Sequence, residues 1–235
     1  MSITISEKKI KNKIMSGDRA SVVLNIKYPF FESEKHSVLC KKMNKFYSDV
    51  AEKFSHNTSS RILRKIKLKG NSPRLPVSLS MRYTVALCND KIVSIVLDLS
   101  LSDGAVTKTR RFSQMWSTQK KDIVFLRELL RTDRRSRKKI FSYVSSAARD
   151  NGKNPAFGYY DGFGKKLIKS FDISNCFAAP NGLCFFINAG ILSPEKYGAS
   201  SFVLPFDELS DVLKGDFLPI NDKKEAQNAD IVNNV

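Results

Sequence analysis

Three consecutive strand-length runs, joined by turns too short for anything but reversal, constrain this chain most. They are Val77 to Leu87, Lys91 to Leu101 and Val106 to Gln119. Asn89-Asp90 separates the first two and Asp103-Gly104 the second two, both tight-turn pairs. Parallel neighbours need a crossover of about a dozen residues or more, so these connections oblige antiparallel pairing. Within the third run Arg111, Ser113, Met115, Ser117 and Gln119 alternate with Phe112, Gln114, Trp116 and Thr118. That period of two is the pleat of a strand, here with an aromatic side. An antiparallel meander is expected.

A second β-rich segment closes the chain, from Phe171 to Leu209. A strand-like run turns at Asn181-Gly182, an apolar run follows, and a third strand ends in Leu204-Pro205-Phe206-Asp207-Glu208-Leu209. Cys176 and Cys184 flank the turn and could face one another across the hairpin. Phe206 to Leu213 reads as a terminal helical turn.

Helices are expected between these β segments and before them. Ala20 to Tyr28 is a strand candidate ended by Pro29, which has no N–H for a ladder. Ser33 offers an N-cap. Leu39, Met43, Phe46, Tyr47, Val50 and Phe54 then recur at helical spacing, an amphipathic helix of about five turns. The segment Asn57 to Pro76 fits helix or strand equally well. Lys121 to Leu130 reads as a short helix. Thr132-Asp133 caps another, running to Arg149, with Ile140, Phe141, Val144, Ala147 and Ala148 as its stripe and Asn151-Gly152 as its stop. The fold class expected is α+β, an antiparallel β-sheet with helices packed on one face. Its organisation is a flexible arm over 1–19, an N-terminal α+β subdomain over 20–104, a C-terminal one over 105–220, and a disordered tail over 221–235.

Charge says most about partners. Forty Lys and Arg against 23 Asp and Glu leave a net +17 and a pI near 9.8. Such an excess attracts polyanions: nucleic acid, acidic polymers or anionic membrane. The densest run is Arg131 to Lys139, which places Arg131, Arg134, Arg135, Arg137, Lys138 and Lys139 at the start of a helix. The macrodipole is already positive there, so a bound anion would relieve repulsion, and guanidinium forks and free amides both suit phosphate. These six form the candidate anion-binding set. Arg61, Arg64, Lys65, Lys67 and Lys69 make a second basic stripe, and Lys108, Arg110 and Arg111 a third; whether the stripes merge is left open.

Catalytic and cofactor chemistry find little purchase. The two histidines, His36 and His56, are too far apart for an i, i+4 ligand pair, and no nucleophile-elbow motif occurs. Asp161-Gly162-Phe163-Gly164-Lys165-Lys166 is superficially phosphate-cradling but lacks both Walker and dinucleotide spacing. Glycan hydrolysis would need paired carboxylates, for which Asp98, Asp103, Asp207 and Glu208 are the suppliers. No catalytic residue, metal ligand or cofactor is therefore expected. The first twenty residues carry no apolar signal core, and no window approaches the roughly 20 apolar residues of a membrane span. As written, the chain is expected in the cytoplasm, with four buried free thiols.

Taken in order, these features resemble the RsiV-like domain family, which includes the extracytoplasmic part of lysozyme-sensing anti-sigma factors. Tyr28-Pro29 before a long helix, Lys91 to Asp98 leading into Asp103-Gly104-Ala105, and Asn175 to Leu209 carry the likeness. The family's Gly-Gly-Ala-His turn is Asp103-Gly104-Ala105-Val106 here, so its histidine is missing. The sequence shows neither a transmembrane helix nor a sigma-binding segment, so an anti-sigma role does not carry over. A basic lysozyme would be repelled by so basic a chain. What the resemblance implies is a fold and a ligand-binding habit: a non-catalytic protein recognising a protein partner or an acidic polymer through its basic surface. The rival expectation is a cytosolic nucleic-acid-binding protein.

Overall fold

The computed structural model describes residues 3–16, 19–69 and 76–214. The chain is α+β. Its element order is β1 (Thr4–Ser16), β2 (Arg19–Glu32), α1 (Ser37–Lys69), β3 (Val77–Cys88), β4 (Ile92–Ser102), β5 (Thr107–Ser117), β6 (Asp122–Ile123), α2 (Leu126–Leu129), α3 (Arg134–Gly152), α4 (Phe163–Ser170), β7 (Cys176–Ala179), β8 (Gly182–Ile187) and β9 (Ser200–Pro205). Six strands pair in the order β1-β2-β3-β4-β5-β6, and three in the order β7-β8-β9. By internal contacts the chain divides into two compact units, Met1–Tyr83 with Leu97–Arg110, and Thr84–Val96 with Arg111–Val235. The division falls inside β3, β4 and β5, not at the cut after residue 104 that the sequence suggests. The tail expected over 221–235 lies outside the described residues.

Both meander turns use one device. Asn89 Oδ1 accepts the N–H groups of Lys91 (3.0 Å) and Ile92 (2.8 Å). Asp103 Oδ1 accepts those of Ala105 (3.1 Å) and Val106 (2.9 Å), holding its carboxyl below the usual range. Short Asx side chains closing their own turns are why the sequence announces these reversals.

In the first unit, residues expected as an arm form β1, paired with β2 from Thr4↔Glu32 to Ser16↔Arg19. The side of β1 that follows the core register holds Lys8, Ile10, Asn12 and Ile14, opposite Tyr28, Ile26, Leu24 and Val22. Only every second of these is apolar, so the period-two signal is lost in the sequence. β2 also passes through Pro29 instead of stopping there. Its pairing with β3 covers only Val22 to Ile26, so the missing N–H falls where β2 has β1 alone beside it.

The β2–β3 pairing is parallel, with α1 as the crossover. That helix runs to Lys69, which settles the ambiguous stretch after Asn57 as helix. Ile62 and Leu63 pack there against Val22, Leu24 and Leu79. Asn44 clamps the helix to the end of β2, its Oδ1 accepting the Phe31 N–H (2.7 Å) and its Nδ2 donating to the Phe31 carbonyl (2.9 Å).

In the second unit β7, β8 and β9 form a sheet with both faces covered. One face joins Ile140, Val144 and Ala148 of α3 to Cys176, Ala178, Leu183, Phe185 and Leu204; the other packs Phe177, Ala179, Cys184 and Phe186 with Val96. Every residue of β8 is buried, which explains its unbroken apolar run. Gly182 is required, since a Cβ there would strike the Leu204 carbonyl across the β8–β9 pair. The cysteines of the hairpin do not face one another. Cys176 sits opposite Phe185 and Cys184 opposite Phe177, so the two thiols lie on opposite faces and are free. The expected helix over Lys121 to Leu130 is instead β6 followed by the single turn α2. Lys121, with φ of 54°, turns the chain back so that Asp122 and Ile123 pair with Ser117 and Trp116.

Candidate functional site

The approach to α3 is tied to the chain's closing turns. Leu130 bridges to Leu213, Arg131 N–H donates to the Val212 carbonyl (2.8 Å), and Lys214 N–H donates to the Leu129 carbonyl (2.7 Å). Asp133 then caps the helix. Its Oδ1 accepts the N–H groups of Arg135 (2.9 Å) and Ser136 (3.0 Å), and its Oδ2 the Ser136 hydroxyl (2.8 Å). The Ser136 amide, its hydroxyl and the Arg135 amide hold the Asp133 carboxyl below its usual range. Two of the amides that the sequence reading leaves free for an anion are therefore occupied by the protein's own cap. What this helix start has to offer an anion is its side chains.

Helical period sorts the five cations that lie on α3 into two faces. Arg134, Arg137 and Lys138 line an open cleft of about 840 Å³ with Thr132, Phe141, Phe171, Asp172 and Ile173. Arg137 Nε donates to the Thr132 carbonyl (2.8 Å), which fixes its guanidinium at the cleft edge. Phe141 and Phe171 supply the apolar wall, their rings 5.4 Å apart and packed on the core. The lone carboxylate of the lining, Asp172, already accepts the N–H (2.9 Å) and hydroxyl (2.7 Å) of Ser174. Arg135 and Lys139 lie on the other side. Lys139 pairs with Asp211 at 2.5 Å, and that bond, helped by Arg135, depresses the Asp211 carboxyl. Arg131 is exposed and outside the cleft lining.

Other sequence candidates separate cleanly. Arg61, Arg64, Lys65 and Lys67 are exposed on α1, and Lys108 and Arg110 are exposed on β5. Arg111 is only 8% exposed: its N–H donates to Asn188 Oδ1 (2.6 Å) and its guanidinium to Ser201 Oγ (3.2 Å). It is a structural arginine. Of the Gly-rich segment, Phe163 to Lys166 form the start of α4, and Lys166 lies 3.8 Å from the Tyr160 ring centre, so one of its two cations is engaged locally. His56 is exposed on α1 and His36 is half-buried just before it. Among the described residues no group of three or more His, Cys, Asp or Glu side chains is placed to hold a metal, and no helix is long and apolar enough to cross a membrane. Of the carboxylates weighed for glycan chemistry, Asp103 is spent on its turn and Asp207 Oδ1 accepts the Glu208 N–H (3.0 Å).

Sequence reasoning found the cationic side of the cleft and missed the wall from Phe171 to Ile173. That wall is more than thirty residues on in the chain and carries no motif.

Comparison with protein families and with curated proteins finds no match for this sequence. Solved structures do match. A member of the DUF3298 family from Bacteroides fragilis NCTC 9343 is 11% identical, with a TM-score of 0.64 over 92% of this chain and 94% of its own. A DUF3298 family protein from Pseudomonas aeruginosa PAO1 is 13% identical, with a TM-score of 0.60 over 93% and 98%. The fold is shared with DUF3298 structures. At such identities the likeness is one of fold alone.

Proposed function

We propose that this chain is a non-catalytic binding protein that holds an acidic macromolecule, a protein segment or an acidic polymer, in the cleft beside the first turns of α3. The observation that carries the reading is the lining itself: Arg134, Arg137 and Lys138 against an apolar wall, with the single carboxylate of Asp172 already hydrogen-bonded. A net charge of +17 adds long-range attraction for such a partner. The resemblance to RsiV-like domains contributes a ligand-binding precedent and no ligand.

The test is fluorescence anisotropy with labelled polyglutamate and with mixed-sequence DNA and RNA over a salt series. Replacing Arg134, Arg137 and Lys138 together by Ser is expected to weaken polyglutamate binding roughly tenfold or more. The same change at Arg135 and Lys139 should have a smaller effect. Tight nucleic-acid binding with a steep salt slope, abolished by the three-residue change, would replace this reading with the nucleic-acid one. Affinity for every probe indifferent to the cleft residues would remove the cleft from the mechanism.

A further inference from the structure

Among the described residues of the first unit, the outer edge of β1 has no partner strand. β1 terminates the sheet order among these described residues, and over its 13 residues it pairs on one side, with β2. Its outward backbone is thus a row of donors and acceptors of the kind that templates another strand. Within the strand Asn12 Oδ1 accepts the Lys13 N–H (2.8 Å), so that donor would have to be released for an added strand to pair with it.

The side chains along this edge are segregated by the pleat. Glu7, Lys9, Lys11 and Lys13 alternate on one face, in register with Pro29, Lys27, Asn25 and Val23. Glu7 is held between Lys9 (2.9 Å) and Lys27 (3.3 Å), which lowers its pKa, the Lys9 bond first. Lys27 and Arg82 border a small cleft on the sheet with Glu7, Asn25 and Tyr83. Among the described residues Lys11 and Lys13 have no carboxylate partner, and both are exposed. On the opposite face of the strand Ile10 and Ile14 alternate with Lys8 and Asn12, Ile14 lying against the core under α1.

We propose that the free edge of β1 docks an extended polypeptide of alternating acidic and apolar residues by strand addition. On an added strand every second side chain falls on the lysine face, about 6.8 Å from the next, the same repeat as Lys9, Lys11 and Lys13. Directly opposed residues come within about 5 Å, so each acid meets a lysine while the intervening apolar residues fall on the side where Ile10 and Ile14 alternate with Lys8 and Asn12. The main chain supplies hydrogen bonds and the charges supply selection. The same three lysines repel a second copy of β1, so the edge favours a foreign acidic strand over self-association. This surface shares no residue with the α3 cleft, and the proposal does not rest on that cleft.

The experiment uses the full chain and a labelled peptide of alternating Glu and Val, long enough to span Lys8 to Lys13. Anisotropy should show binding that Lys9→Ser, Lys11→Ser and Lys13→Ser together weaken roughly tenfold, with unchanged melting temperature. Reversing the same three to Glu should abolish it and create binding of a Lys–Val alternating peptide. Amide exchange should slow along β1 in the complex. A Glu–Val peptide N-methylated at alternate residues, which cannot pair, should not bind. Equal binding of the N-methylated peptide, or full affinity in the triple Ser variant, overturns the proposal. So does loss of peptide binding when Arg134, Arg137 and Lys138 are replaced, which would place the peptide in the α3 cleft. Oligonucleotide binding that the β1 variants abolish, without peptide binding, would make the edge a nucleic-acid surface and equally overturn it.

Discussion

At the scale of single residues, burial decides the chemistry of the thiols. Desolvation pushes Cys176 from 9.0 up to about 12, and Cys184 from 9.0 up to about 11. In the unfolded chain both ionise near their ordinary value, so above that pH the unfolded state sheds protons that the native state retains. Stability is therefore unaffected by these groups below pH 9 and falls as pH rises through 9 towards 11 and 12. Replacing both by Ala is expected to flatten the alkaline limb of a melting-temperature profile, leaving a residue from Tyr83 and Tyr143, which burial also pushes up. An unchanged limb would mean these thiols do not govern it. Residue-scale chemistry was also what the sequence displayed best. Asn89, Asp103 and Asp133 each bond to amides two or three positions ahead, so the partner is written beside them.

At the scale of elements, legibility depends on how much of a face is buried. α3 was readable because Ile140, Val144 and Ala148 form one stripe against one core. β1 was not, because Lys8 and Asn12 interrupt the apolar side of an edge strand. α1 was readable to Phe54 and ambiguous beyond it, since Ile62, Leu63 and Ile66 between cations suit either period. Near its start this long helix is tied down by buried Leu39, Met43 and Tyr47 and by the Asn44 clamp on Phe31, which is 1% exposed. Asn44→Ala leaves the Phe31 N–H and carbonyl without that partner and is expected to cost about 1–3 kcal/mol in urea unfolding. A loss within experimental error would show that water replaces the amide freely.

At the scale of the whole molecule, charge acts on folding and binding with opposite signs. The excess of 17 positive charges repels itself in the compact state, and that repulsion is screened as the Debye length shortens from about 30 Å at 0.01 M salt to about 8 Å at 0.15 M. Raising salt over this range should raise the melting temperature while weakening polyglutamate binding. A melting temperature that falls with salt would show that favourable ion pairs, such as Lys139–Asp211, outweigh the repulsion.

By itself the sequence determined the α+β class, the two meander turns, the Asp133-capped helix and the three closing strands. Each is governed by residues a few positions apart, whose side-chain period or backbone bonding is local. Only the tertiary structure decided that β2 and β3 run parallel across α1, that Cys176 and Cys184 lie on opposite faces, and that β1 ends the sheet order among the described residues. It also divided five neighbouring cations of α3 into a cleft face with Phe141 and Phe171 and a face turned to Asp211, and left Arg131 outside both. Those outcomes rest on register and on contacts between segments far apart in the chain, which no local pattern encodes.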